Sequence, residues 1–241
     1  GYGEISPLPG FSRETLANAA GQLTKTKDQL LHIELPRHPE NLNGEMERWL
    51  GAFKFCSSVR CGLEMALLNL VASQKNLSVS QLLSKSEHLS VPVAGLLDGN
   101  EESVLIEAQQ LVDQGFKALK LKVGKSTVQK DIEKIIKLGE IVSDKVFLRL
   151  DANRAWDIKQ AVEVGLTIGC AAVEYIEEPF KDHEKLEEFF DQTTIPVALD
   201  ESLENLHIQD VNALPGVDIL IIKPTMLGGI EKAWQWSQQA H

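Results

Sequence analysis

The apolar positions change their period along the chain. Over residues 57–72 they recur every three or four residues (Val59, Leu63, Ala66, Leu67, Leu70, Val71), the spacing that lines one face of a packed helix. A shorter helix is expected over 79–84. Upstream, Pro7, Pro9 and Gly10 mark a loop over 6–12, and Ser12, followed by Glu14 and Thr15, supplies a cap for a helix from about 13 to 23. Residues 24–54 are polar, without a period, and are expected to be irregular.

After Pro92 the texture becomes short β-rich runs alternating with amphipathic stretches. Strands are expected at 91–97, 117–123, 146–151, 172–177, 196–200 and 218–223. Helices are expected between them at 101–114, 127–143, 157–169, 182–191 and 204–213, with a last one at 229–240. This alternation predicts βαβ units and a parallel sheet. With no glycine-rich phosphate loop in the series, a barrel is favoured over a doubly wound sheet. A complete (β/α)₈ barrel takes about 250 residues, and only six strands fit between Val91 and His241. The expectation is therefore an α/β barrel that stops after its sixth strand, with 1–90 and 91–241 as two domains; a different α/β sheet is the alternative.

Composition narrows the class without changing that picture. At 241 residues, 43% hydrophobic and 24% charged, the chain is an ordinary globular sequence rather than a disordered, collagenous or disulfide-built one. Cys56, Cys61 and Cys170 form no CxxC and read as free thiols in a reducing compartment. The apolar run Ile219-Leu220-Ile221-Ile222 is far shorter than the roughly 20 residues of a membrane span, so no membrane partner is expected. Residues 1–95 carry nine cationic and nine anionic side chains, so the whole net charge of −11 belongs to 96–241. Such a surface repels a polyanion, which argues against a nucleic-acid partner. The start at Gly1-Tyr2-Gly3, without Met, is read as a trimmed or partial N-terminus.

The chemistry lies where the predicted strands end. Lys122, Asp151, Glu177, Asp200 and Lys223 each close a strand, at intervals of 29, 26, 23 and 23 residues, about one strand plus one helix each time. Successive repeats bring such residues to one rim, the rim where parallel α/β barrels hold their active sites. Three carboxylates gathered there repel one another unless a cation intervenes. All-oxygen ligation without Cys or His suits a hard divalent ion, Mg²⁺. A lysine beside such an ion is pushed toward its neutral form and can act as a general base. Metal and base together fit proton abstraction alpha to a carboxylate. Lys120 faces the same way as Lys122, either tuning its pKa or pairing structurally with a carboxylate.

At these residues the sequence resembles the enolase superfamily, muconate-lactonizing subgroup. The pattern of that subgroup is Lys-x-Lys on the second strand, acidic ligands ending the third to fifth, and Lys ending the sixth; Lys120-Leu121-Lys122, Asp151, Glu177, Asp200 and Lys223 match it in order. Residues 3–12, 148–156, 200–203 and 223–225 further resemble the o-succinylbenzoate synthases. The resemblance implies an N-terminal α+β capping domain over 1–90, whose first strands are absent, and a Mg²⁺-dependent carbon–oxygen lyase acting on a small carboxylate. It also implies metal ligation by Asp151, Glu177 and Asp200, with Lys122, Lys223 and Lys120 as the catalytic lysines. N-succinylamino acid racemases and dipeptide epimerases share this constellation and remain an alternative reading. A non-catalytic truncated barrel is another.

Plainer readings stand beside these. A single Asp at a strand end is a favoured helix N-cap. Glu178 and Glu201, next to proposed ligands, point the other way if the strands continue; Glu201 is expected either to pair with a lysine or to have no role. Asn153 and Arg154 either touch the site or order their loop. Residues 6–12 form either a lid or an ordinary proline-rich turn. None of the six histidines ends a strand, Gly228-Gly229 starts the last helix, Trp234 and Trp236 cannot both face the core, and Cys61 is expected to be buried.

Overall fold

A computed structural model describes residues 1–84, 90–142, 146–169 and 173–240. Cys170, His88, His241, the first residue of the fourth expected strand and the last of the helix at 127–143 lie outside them. The described residues fall into two compact units, one within Gly1–Leu89 and Ile222–His241, the other within Ser90–Ile221. No helix among them is long and apolar enough to cross a membrane.

The unit within Ser90–Ile221 is a six-stranded parallel sheet, β1 (Gly95–Leu97), β2 (Ala118–Lys122), β3 (Phe147–Asp151), β4 (Val173–Glu177), β5 (Val197–Leu199) and β6 (Val217–Leu220), in sequence order. Each strand pairs with the next, the winding of a barrel wall and not of a doubly wound sheet. The connecting helices are α5 (Glu101–Asp113), α6 (Val128–Val142), α7 (Ile158–Ile168) and α8 (Leu186–Thr193), and neighbours pack side by side. Alternation along the strands explains this layering: Leu119, Leu121, Leu148, Leu150 and Ile176 are fully buried, with Val104, Ala108, Ile135, Leu138, Val164 and Phe189 of the helices. The opposite alternates, Lys120, Lys122, Arg149, Asp151, Tyr175 and Glu177, form the other face.

Four expectations are corrected. No α-helix spans 204–213; short 3₁₀ turns cover Glu201–Glu204 and Val211–Ala213 instead, because among the described residues of 201–213 only Leu203 and Val211 are buried apolar positions and no continuous apolar stripe supports a helix. The helix expected at 13–23 is α1 (Leu16–Leu31), capped not by Ser12 but by a reciprocal box between Thr15 and Asn18. Residues 24–54 are not wholly irregular, since α1 runs through Leu31 and α2 (Glu45–Leu50) follows. The first strand also shortens to three residues, Gly95–Leu97.

In the other unit, α3 (Ser57–Gln74) is the central element. Leu67 and Leu68 of α3 bury with Leu42 and Met46, and Val79, Leu82 and Leu83 of α4 (Val79–Leu83) pack on that cluster with Ile230. Cys61 is buried as expected, and of the two C-terminal tryptophans Trp236 is buried while Trp234 is exposed. Gly229 is the N-cap of α10 (Ile230–Gln239), which follows the single turn α9 (Pro224–Leu227). The Ser12 hydroxyl accepts from the Leu8 amide, and the Phe11 and Ser12 amides return to the Leu8 carbonyl, so residues 8–12 are a closed turn.

Two buried glutamates replace the missing side-chain caps of α2 and α10. Glu231 accepts from the Gly44, Met46 and Glu47 amides at 2.8, 3.4 and 2.8 Å, and Glu64 accepts from the Glu231 amide at 3.0 Å. Burial pushes Glu64 up to about 7, with the Glu231 carboxylate adding to the rise and the Arg60 guanidinium and the capped amides opposing it. Glu64 therefore holds a proton in the folded chain that the unfolded chain has released, over the interval from the usual 4.5 to about 7. That contribution is complete below pH 4.5 and is lost as pH rises through 7. In urea titrations between pH 5 and 8, the wild-type chain should lose up to about 3 kcal/mol relative to Glu64→Gln; parallel pH profiles for the two proteins contradict this.

Candidate active site

Register creates the site. Lys122 lies opposite Asp151 across β2 and β3, and Asp151 lies opposite Glu177 across β3 and β4, so the three charged strand ends form one row. Lys120, two residues earlier on β2, points to the same face. Its Nζ lies 2.9 Å from Asp151 Oδ2 and 2.7 Å from Glu177 Oε2, and it donates to Glu177 Oε1 at 2.8 Å. The Lys122 Nζ donates to Asp151 Oδ2 at 2.8 Å and to Asn153 Oδ1 at 2.7 Å. Gly124 keeps the loop after β2 close by: it has φ +80°, and a side chain there would collide with the Ala155 methyl.

Both carboxylates are almost wholly enclosed, Asp151 at 1% and Glu177 at 0% side-chain exposure. Burial, then the neighbouring Asp151 charge, push Glu177 up to about 7; Asp200 adds to the rise, and Lys120 opposes it. Asp151 sits below its usual range because hydrogen bonds from Lys122 and Lys120 outweigh its burial. Lys120 is raised, its own burial being outweighed by Glu177 and Asp151. Although Glu177 Oε2 is 2.7 Å from Lys120 Nζ, the approach lacks hydrogen-bond geometry, and this buried oxygen has no hydrogen-bond partner. The donor set therefore fits a hard cation: two buried carboxylates, one of them, Glu177, raised by its surroundings and keeping an oxygen without a hydrogen-bond partner. Among the described residues, no group of three or more His, Cys, Asp or Glu is arranged to hold a metal ion; at the junction of Asp151 and Glu177 stands the Lys120 ammonium.

Of the six residues expected at the site, Lys120, Lys122, Asp151 and Glu177 are brought into direct contact, and Asp200 is buried and close enough to act on the Glu177 charge. Lys223 belongs to the other unit, where it precedes α9 as its N-cap.

A second layer locks the strand ends. Glu178 leaves β4 in the left-handed region, φ 44°, which turns its carboxylate away from the Glu177 side. Its Oε1 accepts from the Asp200 and Ser202 amides at 2.8 and 2.7 Å, and its Oε2 from the Ser202 hydroxyl at 2.7 Å and Arg154 Nε at 2.8 Å. Glu178 thereby ties the loops after β3 and β5 to β4. Because the single Ser202 hydroxyl proton goes to Glu178, its oxygen accepts from Arg154 Nη2 at 2.8 Å and from His183 Nε2 at 2.5 Å. His183 thus carries its proton on Nε2.

Arg154 is a loop-ordering residue, whereas Asn153 touches Lys122 and also donates to Glu201 Oε1 at 2.8 Å. Of the two readings of Glu201, no lysine pair is found among the described residues; Glu201 is joined to Lys122 through Asn153. Sequence reading passed over His183 and Ser202. The available signal was spacing, since Glu178 and Ser202 flank the proposed ligands Glu177 and Asp200 on the same two strand ends.

The family described as enolase C-terminal domain-like matches residues 103–241. The chain is 35% identical over 244 residues to an o-succinylbenzoate synthase of Yersinia enterocolitica, covering 100% of this chain and 66% of that protein. It is 35% identical over 264 residues to the chloroplastic protein PHYLLO of Arabidopsis thaliana, covering 99% of this chain and 15% of that one. A dipeptide epimerase from Enterococcus faecalis, 27% identical, superposes with a TM-score of 0.84 over 100% of this chain and 70% of that one. The chain thus spans about two thirds of the length of its bacterial relative.

Removing the Glu178 carboxylate leaves two amides and an arginine without their buried acceptor. Glu178→Ala should cost about 3–5 kcal/mol in a urea titration, and Glu178→Gln distinctly less. A loss under about 1 kcal/mol for Glu178→Ala rules out the clamp.

Proposed function

We propose a function from the premise that this chain belongs to the enolase superfamily: it carries the catalytic barrel wall of an o-succinylbenzoate synthase. That activity is the dehydration of 2-succinyl-6-hydroxy-2,4-cyclohexadiene-1-carboxylate to o-succinylbenzoate in menaquinone or phylloquinone synthesis. The observation that carries the reading is the charged row itself, two lysines against two buried carboxylates on three consecutive strands. The synthase-named relative of Yersinia enterocolitica, 35% identical, supports the choice of substrate. The chloroplastic relative supports a plastid location in a photosynthetic source; for any other source the proposed location is the cytoplasm.

In this reading Lys122 removes the proton alpha to the ring carboxylate. Now an ammonium, it returns that proton to the departing hydroxyl on the same face, so the carbon–oxygen bond breaks, water leaves and the ring becomes aromatic. Asn153 and Asp151, both bonded to Lys122 Nζ, fix where that nitrogen points. Lys120 supplies a fixed positive charge between Asp151 and Glu177. Asp151, Glu177 and Asp200 would hold Mg²⁺, which when bound supplies the positive charge that stabilises negative charge on the substrate carboxylate. Lys223 has the role of a second cation on the strength of its motif position.

The dipeptide epimerase likeness favours one second reading, in which the lysines exchange the alpha proton of an N-acylated amino acid or dipeptide without loss of water. Incubation in D₂O separates the two. A dehydratase releases o-succinylbenzoate and leaves N-succinylamino acids and dipeptides unlabelled; deuterium appearing in those, with no aromatic product from the cyclohexadiene, replaces the first reading by the second. Lys122→Ala should lower turnover by at least about 10²–10⁴-fold with the thermal midpoint little changed. Turnover retained in that variant removes Lys122 from the chemistry.

A further inference from the structure

A cavity of about 520 Å³ opens between the loop after β1, the loop after β2 and the first two turns of α6, and four of its lining side chains are Lys122, Lys125, Lys130 and Lys134. Their charges are unequally spent. Lys122 is bonded to Asp151 and Asn153, and Lys125 Nζ lies 2.8 Å from each carboxylate oxygen of Asp98. Lys134 is only 9% exposed, lines the cavity, and has no hydrogen-bonded or ion-paired partner among the described residues. Lys130, one turn earlier on the same face of α6, is likewise unpaired among them. An almost buried ammonium without a counter-charge is costly unless an anion can reach it.

The carboxylates around the cavity do not supply that anion. Asp98 is committed to Lys125, and Glu101 to Lys137. Asp131 is turned to the Gly124 amide and the Ser126 hydroxyl, which ties down the loop. Glu133 is the remaining counter-charge, and it accepts weakly, at 3.4 Å, from Gln129. Two long helices also begin here, α5 at Glu101 and α6 at Val128, and their positive dipole ends add to the lysines.

We propose that this cavity is an anion site beside the charged row, taking the phosphoryl group of a small phosphate monoester, with Lys134 as its buried ammonium, Lys130 at the rim, and Lys125 able to exchange Asp98 for the ligand. The choice of phosphoryl over carboxylate follows from the donors. Planar carboxylates are matched by the arginine fork, whereas lysines act as point charges on a tetrahedral dianion, and no arginine lines the cavity. The volume lies in the range of about 300–1,000 Å³ typical of small-molecule sites, so there is room for an organic portion.

The test is calorimetric titration of the chain with inorganic phosphate and with glycerol 3-phosphate, at constant ionic strength. The expected result is one saturable site for both, the ester binding no more weakly than the free ion. Affinity should fall at least about tenfold in Lys134→Met and severalfold in Lys130→Met, and stay unchanged in Lys159→Met, a lysine of α7 outside the lining. Lys130 is exposed, so its variant gives an answer even if Lys134→Met fails to fold. No saturable binding, or wild-type affinity in a folded Lys134→Met or in Lys130→Met, overturns the site; binding of inorganic phosphate alone overturns the monoester assignment.

Discussion

Two carboxylates held side by side in a parallel sheet, out of reach of water, are the constraint from which the rest of this structure follows. Asp151 and Glu177 are in register on adjacent strands and almost wholly buried. Left alone, such a pair must protonate or separate, because burial and mutual repulsion both disfavour the second charge. Here Lys120 stands between them and Lys122 takes the outer side of Asp151. Even so, Glu177 is raised and keeps an oxygen without a hydrogen-bond partner. The lysines thus balance only part of the charge, the property that the proposed cation-assisted acid–base site requires.

Holding that pair together is work for the surrounding residues rather than for the pair itself. Glu178 gathers four hydrogen bonds from the Asp200 and Ser202 loop and from Arg154, and His183 closes the same knot through Ser202. Three strand ends are therefore fixed by one buried side chain on the far side of the row. Asn153 does the corresponding job on the near side, joining Lys122 to Glu201. The left-handed backbone at Asn153, Arg154 and Glu178 is the cost of aiming these groups, and the hydrogen bonds that each one makes offset it.

What could be read in advance depended on whether a feature was periodic. Strand after strand, a lysine or acid closed an apolar run at a near-constant interval, and that repeat carried both the winding of the sheet and the contact among Lys120, Lys122, Asp151 and Glu177. Glu64 and Glu231 cap helices far from them in sequence, so no local pattern announces them. The stretch after Asp200 has the composition of a helix but only scattered buried positions, and it settles into 3₁₀ turns. Ser202 and His183 gain their meaning from a bond across 19 residues, a pairing that only coordinates reveal. Family resemblance added the chemistry expected of the row, which strand spacing alone leaves open.

The central claim, that buried carboxylates on neighbouring strands are gathered for a hard divalent ion, is tested most directly by titrating the protein with Mn²⁺ and following the free-ion electron paramagnetic resonance signal. The claim requires one Mn²⁺ per chain, displaced by Mg²⁺ and lost in Glu177→Gln, with the fold unchanged by circular dichroism. No saturable Mn²⁺ site, or one that survives undiminished in a folded Glu177→Gln, contradicts it.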